Sequence, residues 1–163
     1  MKMILEMKYR REKRLIYSKS EICELYLSED ISLILSRSPY LSNISNEVFV
    51  YKAKPINADF IEVLAIELRK NYQVYISFED ALSRWGVISQ IPMRLIVATT
   101  GESGEYSTEF GVIEFIHVEH SEELIIENTL DTGYPLRLAK KLWCYEDLKR
   151  IGRNLHLIDR EEL

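Results

Sequence analysis

Only two cysteines, Cys23 and Cys144, occur in the 163 residues. They lie far apart in a chain with no secretory signal, which argues against a disulfide framework and points to reduced, buried thiols. Long apolar runs are missing as well. No stretch approaches the roughly 18 residues that a membrane span needs, and the basic N-terminus lacks the apolar core of a signal peptide. The expectation is a cytoplasmic protein with no membrane association. Catalytic signatures are equally scarce. There is no Walker-type phosphate loop and no G-x-G-x-x-G fingerprint. Gly101-Glu102-Ser103-Gly104 is one residue short of a nucleophile elbow, with no His or Asp placed to serve it.

What is present is an ordinary globular composition, 47% hydrophobic and 29% charged. The length suffices to bury roughly two thirds of the unfolded surface, as one domain or as two small ones. The net charge of −5 is unevenly spread. Residues 1–20 hold seven lysines and arginines against two glutamates, a net of +5, so the remainder carries −10. Residues 102–127 contain eight glutamates and no lysine or arginine. A basic head and an acidic body suggest one end for phosphate and one face for another partner, unless both are simply solvated surface.

Helix-forming composition over residues 3–15 predicts a first helix ending near Arg14. Ser18 and Glu21 form a capping box that opens a second helix, with Ile22, Cys23, Leu25 and Tyr26 on its apolar stripe. Ser28 is the expected cap of a third helix. On it Ile31, Ile34 and Leu35 face inward and Ser32, Ser36 and Arg37 outward, and Pro39 stops it. Asn43–Tyr51 reads as a turn and an alternating strand, and 52–57 as a linker. Three short helices and a β-hairpin outline a winged helix.

Beyond the linker, Asp59 caps a helix with Ile61, Leu64, Ala65 and Leu68 on one stripe, followed by a strand at 73–76. Ser77 and Asp80 give a second capping box, and Gly86 ends the short helix that it opens. Leu95-Ile96-Val97-Ala98 reads as a buried strand, residues 99–107 as a turn, and 110–118 as another strand. Residues 121–130 fit either a strand or a helical turn, and Pro135 is the expected start of the last helix.

The central stretch carries a resemblance. Tyr75-Ile76-Ser77 before Ala81-Leu82, then Gly86-Val87-Ile88 with Gln90 and Pro92, then Val97-Ala98-Thr99-Thr100-Gly101, and finally Gly111 with Phe115 resemble the C-terminal domain of AbiEi-type proteins. These are the antitoxin and transcriptional-regulator half of type IV toxin-antitoxin systems. The match covers about a quarter of the chain. The head is similar to the N-terminal domain of that family, with Glu47-Val48-Phe49-Val50-Tyr51 in the place of its wing strand. The resemblance implies a head that binds double-stranded operator DNA and a second domain that neutralises a nucleotidyltransferase-like toxin.

For DNA, Arg10, Arg11, Lys13 and Arg14 are the candidates for phosphate contacts, and Ser32, Ser36, Arg37 and Asn46 for polar contacts from the third helix and the turn. The chain departs from the family where that helix opens with Ser28-Glu29-Asp30 and holds one arginine, and where the turn Ser42–Asn46 has neither glycine nor lysine. Carboxylates there repel phosphate. The competing expectation is a degenerate winged helix that binds protein, with the acidic segment Glu102–Glu127 docking a basic partner.

Asp131-Thr132-Gly133 followed by Gly152-Arg153-Asn154 has the letters of a retroviral-type aspartic protease, but the stretch between them lacks the strands and flap that such an enzyme needs. His117 and His120 beside Glu114 and Glu119 suggest metal ligands, yet on a strand they face opposite sides. Trp85 and Trp143 sit on apolar helix faces and read as core. The expectation is an α+β protein, with an N-terminal winged-helix-like domain (1–55) followed by a small mixed α/β domain (56–163). It is expected to be a non-enzymatic regulator with no cofactor and no metal.

Overall fold

A computed structural model describes residues 14–163. Arg10, Arg11 and Lys13, and nearly all of the expected first helix, lie outside the described residues. Arg14 and Leu15 themselves are not helical. The chain divides into two compact units, Met1–Ala58 and Asp59–Leu163, three residues beyond the expected boundary. Both mix helix with sheet, so the class is α+β.

The first unit runs β1 (Ile16–Ser18), α1 (Lys19–Tyr26), α2 (Ile31–Arg37), β2 (Leu41–Asn43), β3 (Val48–Tyr51). Its sheet is antiparallel in the order β1-β3-β2. The capping box that opens α1 is present: Glu21 N donates to Ser18 Oγ (3.3 Å) and Ser18 N to Glu21 Oε2 (2.7 Å). Helix α2 is capped by Asp30, whose Oδ1 accepts from Leu33 N at 3.0 Å, and not by Ser28. Ser28 Oγ instead accepts from Asp30 N, which holds the turn that delivers the cap. A carboxylate is the stronger acceptor for a free helical amide. The expected alternation in β3 is absent. All four of its residues are buried, as in a strand covered on both faces. Tyr17, Ile22, Ile34, Leu41, Phe49 and Tyr51 form the core.

The second unit runs α3 (Phe60–Leu68), β4 (Val74–Ile76), α4 (Phe78–Arg84), β5 (Leu95–Thr99), β6 (Gly104–Thr108), β7 (Gly111–His117), α5 (Glu122–Asn128), β8 (Thr129–Leu130), β9 (Arg137–Ala139), α6 (Lys141–Ile151) and a 3-10 turn, Leu155–Leu157. The mixed sheet has the order β6-β7-β5-β4-β9-β8, and every residue of β5 is buried. Strand β4 is antiparallel to β5 and parallel to β9, and β5 is parallel to β7.

Three expectations are corrected here. The turn expected over 99–107 is shorter, since Gly104 already pairs with Phe115 and starts β6. Its hairpin closes at Gly111, where φ is +130° and a Cβ would meet Ile61 Cδ1 at 2.6 Å, so only glycine fits without a shift. The last helix starts at Lys141 rather than Pro135, because Arg137–Ala139 is taken up as β9 beside β4. The strand-or-helix ambiguity at 121–130 resolves as both, with α5 capped by Ser121 and followed directly by β8. Helix α4 does stop just before Gly86, which turns the chain with φ +77° after the C-cap Trp85. No helix among the described residues is long and apolar enough to cross a membrane.

Candidate functional site

In the first unit, Ser32, Ser36 and Arg37 lie exposed on α2, and Asn46 lies exposed in the turn between β2 and β3. The Ser36 hydroxyl already donates to Leu33 O at 2.8 Å. Arg14 is committed further. Its guanidinium makes two hydrogen bonds to Glu21 (2.5 and 2.9 Å) and lies 5.1 Å from the Tyr17 ring centroid. Burial alone would raise the Glu21 carboxyl, but hydrogen bonds from Arg14 and Ser18 outweigh it and lower the group from 4.5 to about 2. Arg14 therefore braces the start of α1. Between residues 14 and 58 the chain has five lysines and arginines and five carboxylates, so the basic excess of this unit comes from the residues before Arg14.

The densest polar chemistry is in the second unit, around the first turn of α4. The expected Ser77–Asp80 capping box is not formed: Ser77 is the N-cap residue but makes no side-chain cap bond. Phe78 follows it with φ +55°, a costly left-handed conformation for an aromatic residue. Each polar side chain of this turn is drawn into a different long-range contact.

Ser77 Oγ donates to Asp147 Oδ2 at 2.7 Å, and the same carboxylate oxygen accepts from Tyr75 Oη at 3.1 Å. The other oxygen, Oδ1, lies 2.9 Å from His120 Nε2 and accepts from Arg150 at 3.3 Å. Asp147 is 1% exposed. Burial and then the Asp147 charge push the Tyr75 phenol well above its ordinary range. The His120 ring packs on Trp143, with centroids 4.7 Å apart. Ser77, His120 and Asp147 are the residue types of a hydrolase triad. Here, however, serine and histidine both bond the carboxylate instead of each other, and Ser77 is fully buried. That wiring braces β4 against α6 and presents no nucleophile.

The next residue, Glu79, accepts from Arg153 Nε (2.6 Å) and Nη2 (2.8 Å) and from Asn154 (2.8 Å). Burial opposes ionisation of Glu79, yet these donors hold it below the usual carboxylate range. Arg153 also reaches Glu114 at 2.5 Å. Asp80 accepts from Arg84 Nε (2.9 Å) and Ile96 N (3.3 Å), and Arg84 continues to Glu62 at 3.3 Å. In this case burial wins over Arg84 and raises the Asp80 carboxyl. A cavity of about 420 Å³ adjoins Glu79, Glu114 and Arg153, and a cleft of about 590 Å³ adjoins Asp80 and Arg84. Asp80 and Arg84 pair with each other, Glu79 and Glu114 with Arg153, and Arg94, which borders both, with Glu105 and Glu114.

The remaining candidates find plain roles. Asp131 Oδ1 accepts from Gly133 N in an exposed loop. Arg153 and Asn154 serve Glu79. His117 Nδ1 lies 2.7 Å from Gly101 O. Among the described residues no group of three or more His, Cys, Asp or Glu could hold a metal ion. Trp85 donates to Ala139 O at 2.8 Å. Sequence reasoning missed Asp147 and Glu62, and it considered His120 only as a metal ligand and Arg153 only in a protease element, whereas they bond Asp147 and Glu79. For Asp147 a signal existed, because it falls beside Cys144 and Leu148 on the buried face of α6, where a carboxylate needs partners. The chain matches no protein-family model, and no curated protein matches it significantly.

Proposed function

We propose that the protein is a non-enzymatic regulator of the antitoxin type, with a first unit that binds double-stranded operator DNA and a second unit that binds a partner protein. The observation that carries the reading is the order of the first unit. A strand, two helices and a hairpin, with β1 added to the central hairpin strand β3, follow the outline of a winged helix and leave the outer side of α2 exposed. In this reading Ser32, Ser36 and Arg37 face a groove, Asn46 faces the backbone from the hairpin turn, and Arg10, Arg11 and Lys13 supply the phosphate contacts. Arg14 acts through its bond to Glu21.

A second reading is a protein-binding module that does not bind DNA, favoured by the charge balance of residues 14–58 and by Glu29 and Asp30 at the start of α2. Titrating the protein against its own upstream DNA at two salt concentrations separates the two. Binding that weakens steeply with salt, and is lost in Arg10→Ala/Arg11→Ala/Lys13→Ala, supports the first reading. No binding at low salt overturns it in favour of the second.

A further inference from the structure

The acidic run of the second unit is not one surface. Glu105 and Glu114 face each other across β6 and β7 and are bridged by Arg94, at 2.6 and 3.6 Å, with Arg153 adding to Glu114. Like charges directly opposite on a ladder would repel, and the two arginines remove that cost. The run from Glu119 to Asp131 is different. It has five carboxylates and no lysine or arginine, and among the described residues none of the five enters an ion pair. Its helix α5 buries Ile125 alone. At 100° per residue the outward side reads, in order around the helix, Glu122, Ile126, Glu123, Glu127, Leu124. Ile126 is 54% and Leu124 43% exposed, and Leu130 of the edge strand β8 adds a third apolar side chain at 38%. The nearest cations hold the far end of the helix, where Lys140 Nζ donates to Glu127 O (2.5 Å) and Arg137 Nη2 to Ile126 O (3.5 Å).

We infer that the outward side of α5, with Leu130, is the docking surface of the second unit for a basic amphipathic segment of a partner protein. Apolar anchors among unpaired carboxylates fit a segment that offers leucine-like side chains flanked by lysine or arginine. This rests on the partner-binding half of the proposed function and specifies where and by what chemistry it operates. Neutral partners gain nothing from the carboxylates, and polyanions are repelled by them.

The test uses the full chain and a fluorescent helical peptide of about 14 residues with leucines on one face and lysines on the other. The expected result is saturable binding that weakens about tenfold in Glu122→Gln/Glu123→Gln/Glu127→Gln, the size expected of three exposed ion pairs. A comparable loss is expected in Leu124→Ser/Ile126→Ser. Glu161→Gln/Glu162→Gln, which removes exposed charge elsewhere, should leave binding unchanged. All the substituted side chains are exposed, and far-UV circular dichroism checks that each variant is folded. Single variants Glu127→Gln and Ile126→Ser replace any that is not. Absence of peptide binding, equal binding of a serine/lysine peptide, or equal losses in the Glu161/Glu162 control each overturns the proposal. So does a dimer of the free protein that the α5 variants dissociate, which would make a second copy the occupant. A natural partner that co-purifies equally with wild type and the α5 variants removes this face and leaves the partner-binding reading standing.

Discussion

In the unit that ends at Ala58, the bonds that cap its helices and close its hairpin turn have short spans: Arg14 with Glu21, Ser18 with Glu21, Asp30 with Leu33 and Ser45 with Val48 are all within seven residues. In the unit from Asp59, Tyr75 and Ser77 reach Asp147, Glu79 reaches Arg153, and Glu62 accepts from Leu136 N, each across 70 residues or more. Charge divides along the same boundary. The first unit has ten lysines and arginines against seven carboxylates, a net of +3, and the second has eleven against nineteen, a net of −8. Where capping is done by bonds within a turn, as at α1 and α2, the outer side of the helix can stay exposed, as it does at Ser32, Ser36 and Arg37. A unit whose carboxylates are spent on distant contacts has fixed its interior, and only its unpaired acids remain for a partner.

The largest test of that contrast is Asp147→Ala. It leaves Tyr75 and Ser77 without their acceptor in a buried setting and takes the carboxylate from His120 and the exposed Arg150, and removing one member of such a network costs about 3–5 kcal/mol. Denaturant unfolding followed by separate probes in the two units should show the second unit's midpoint fall while the first unit's stays put. A fall in both would mean that the units unfold together.

Next in size is the response to acid, where adjacent residues carry opposite signs. The Glu79 carboxyl is lowered in the folded protein, so its contribution is present at neutral pH and lost as pH falls through its folded value. The Asp80 carboxyl is raised. It disfavours the folded state at neutral pH and relaxes as pH falls through that raised value. Glu79→Gln should flatten the acid limb of the second unit's stability profile, and Asp80→Asn should flatten the opposite trend at higher pH. In the first unit Glu21, lowered to about 2, loses its contribution between its ordinary 4.5 and that value, and Arg14→Ala should reduce the loss, the Ser18 bonds remaining. Unfolding midpoints measured from pH 2 to pH 7 check all three.

The same difference in span explains what was legible in the sequence. Ser18 and Glu21 cap α1 because both donors and acceptors lie within one turn, and Arg14, which also binds Glu21, leaves both capping bonds in place. Ser77 and Asp80 have the same spacing, yet Ser77 is drawn to Asp147, 70 residues on and invisible from the local letters, and Asp80 to Arg84 one turn along and to Ile96 N. Arg137 and Leu138 read as helix because their partner, β4, lies some sixty residues earlier. Strand β5 was legible because Leu95–Ala98 is apolar throughout, whereas β6, with Gly104, Glu105 and Ser107, owes its strand to pairing with β7. For the candidate DNA contacts, exposure of Ser32, Ser36 and Arg37 followed from periodicity and that of Asn46 from its place in a turn, but the Arg14–Glu21 pair needed the fold of the turn.

A smaller effect sharpens the first unit's side of the comparison. Arg37→Ala removes an exposed side chain at the end of α2, so stability should move by less than about 0.5 kcal/mol. If the first unit binds DNA through α2, the slope of log affinity against log salt should become shallower by about 0.9, the share of one phosphate contact. An unchanged slope would place Arg37 off the DNA.

The smallest expected effect separates the two thiols. Both cysteines are free, Cys23 half-buried and Cys144 buried. Burial and then the neighbouring Asp147 carboxylate push the Cys144 thiol up to about 12, and its Sγ donates to Lys141 O at 3.1 Å. Thiolate is the reactive form, so at neutral pH Cys23 should be labelled first by a disulfide reagent, with Cys144 following only when the second unit opens. In Asp147→Ala the slow phase should accelerate toward the fast one, because the same substitution removes both the charge beside the thiol and the bonds that hold α6 against β4. A Cys144 rate unmoved by that change would mean that α6 is held by its apolar face alone.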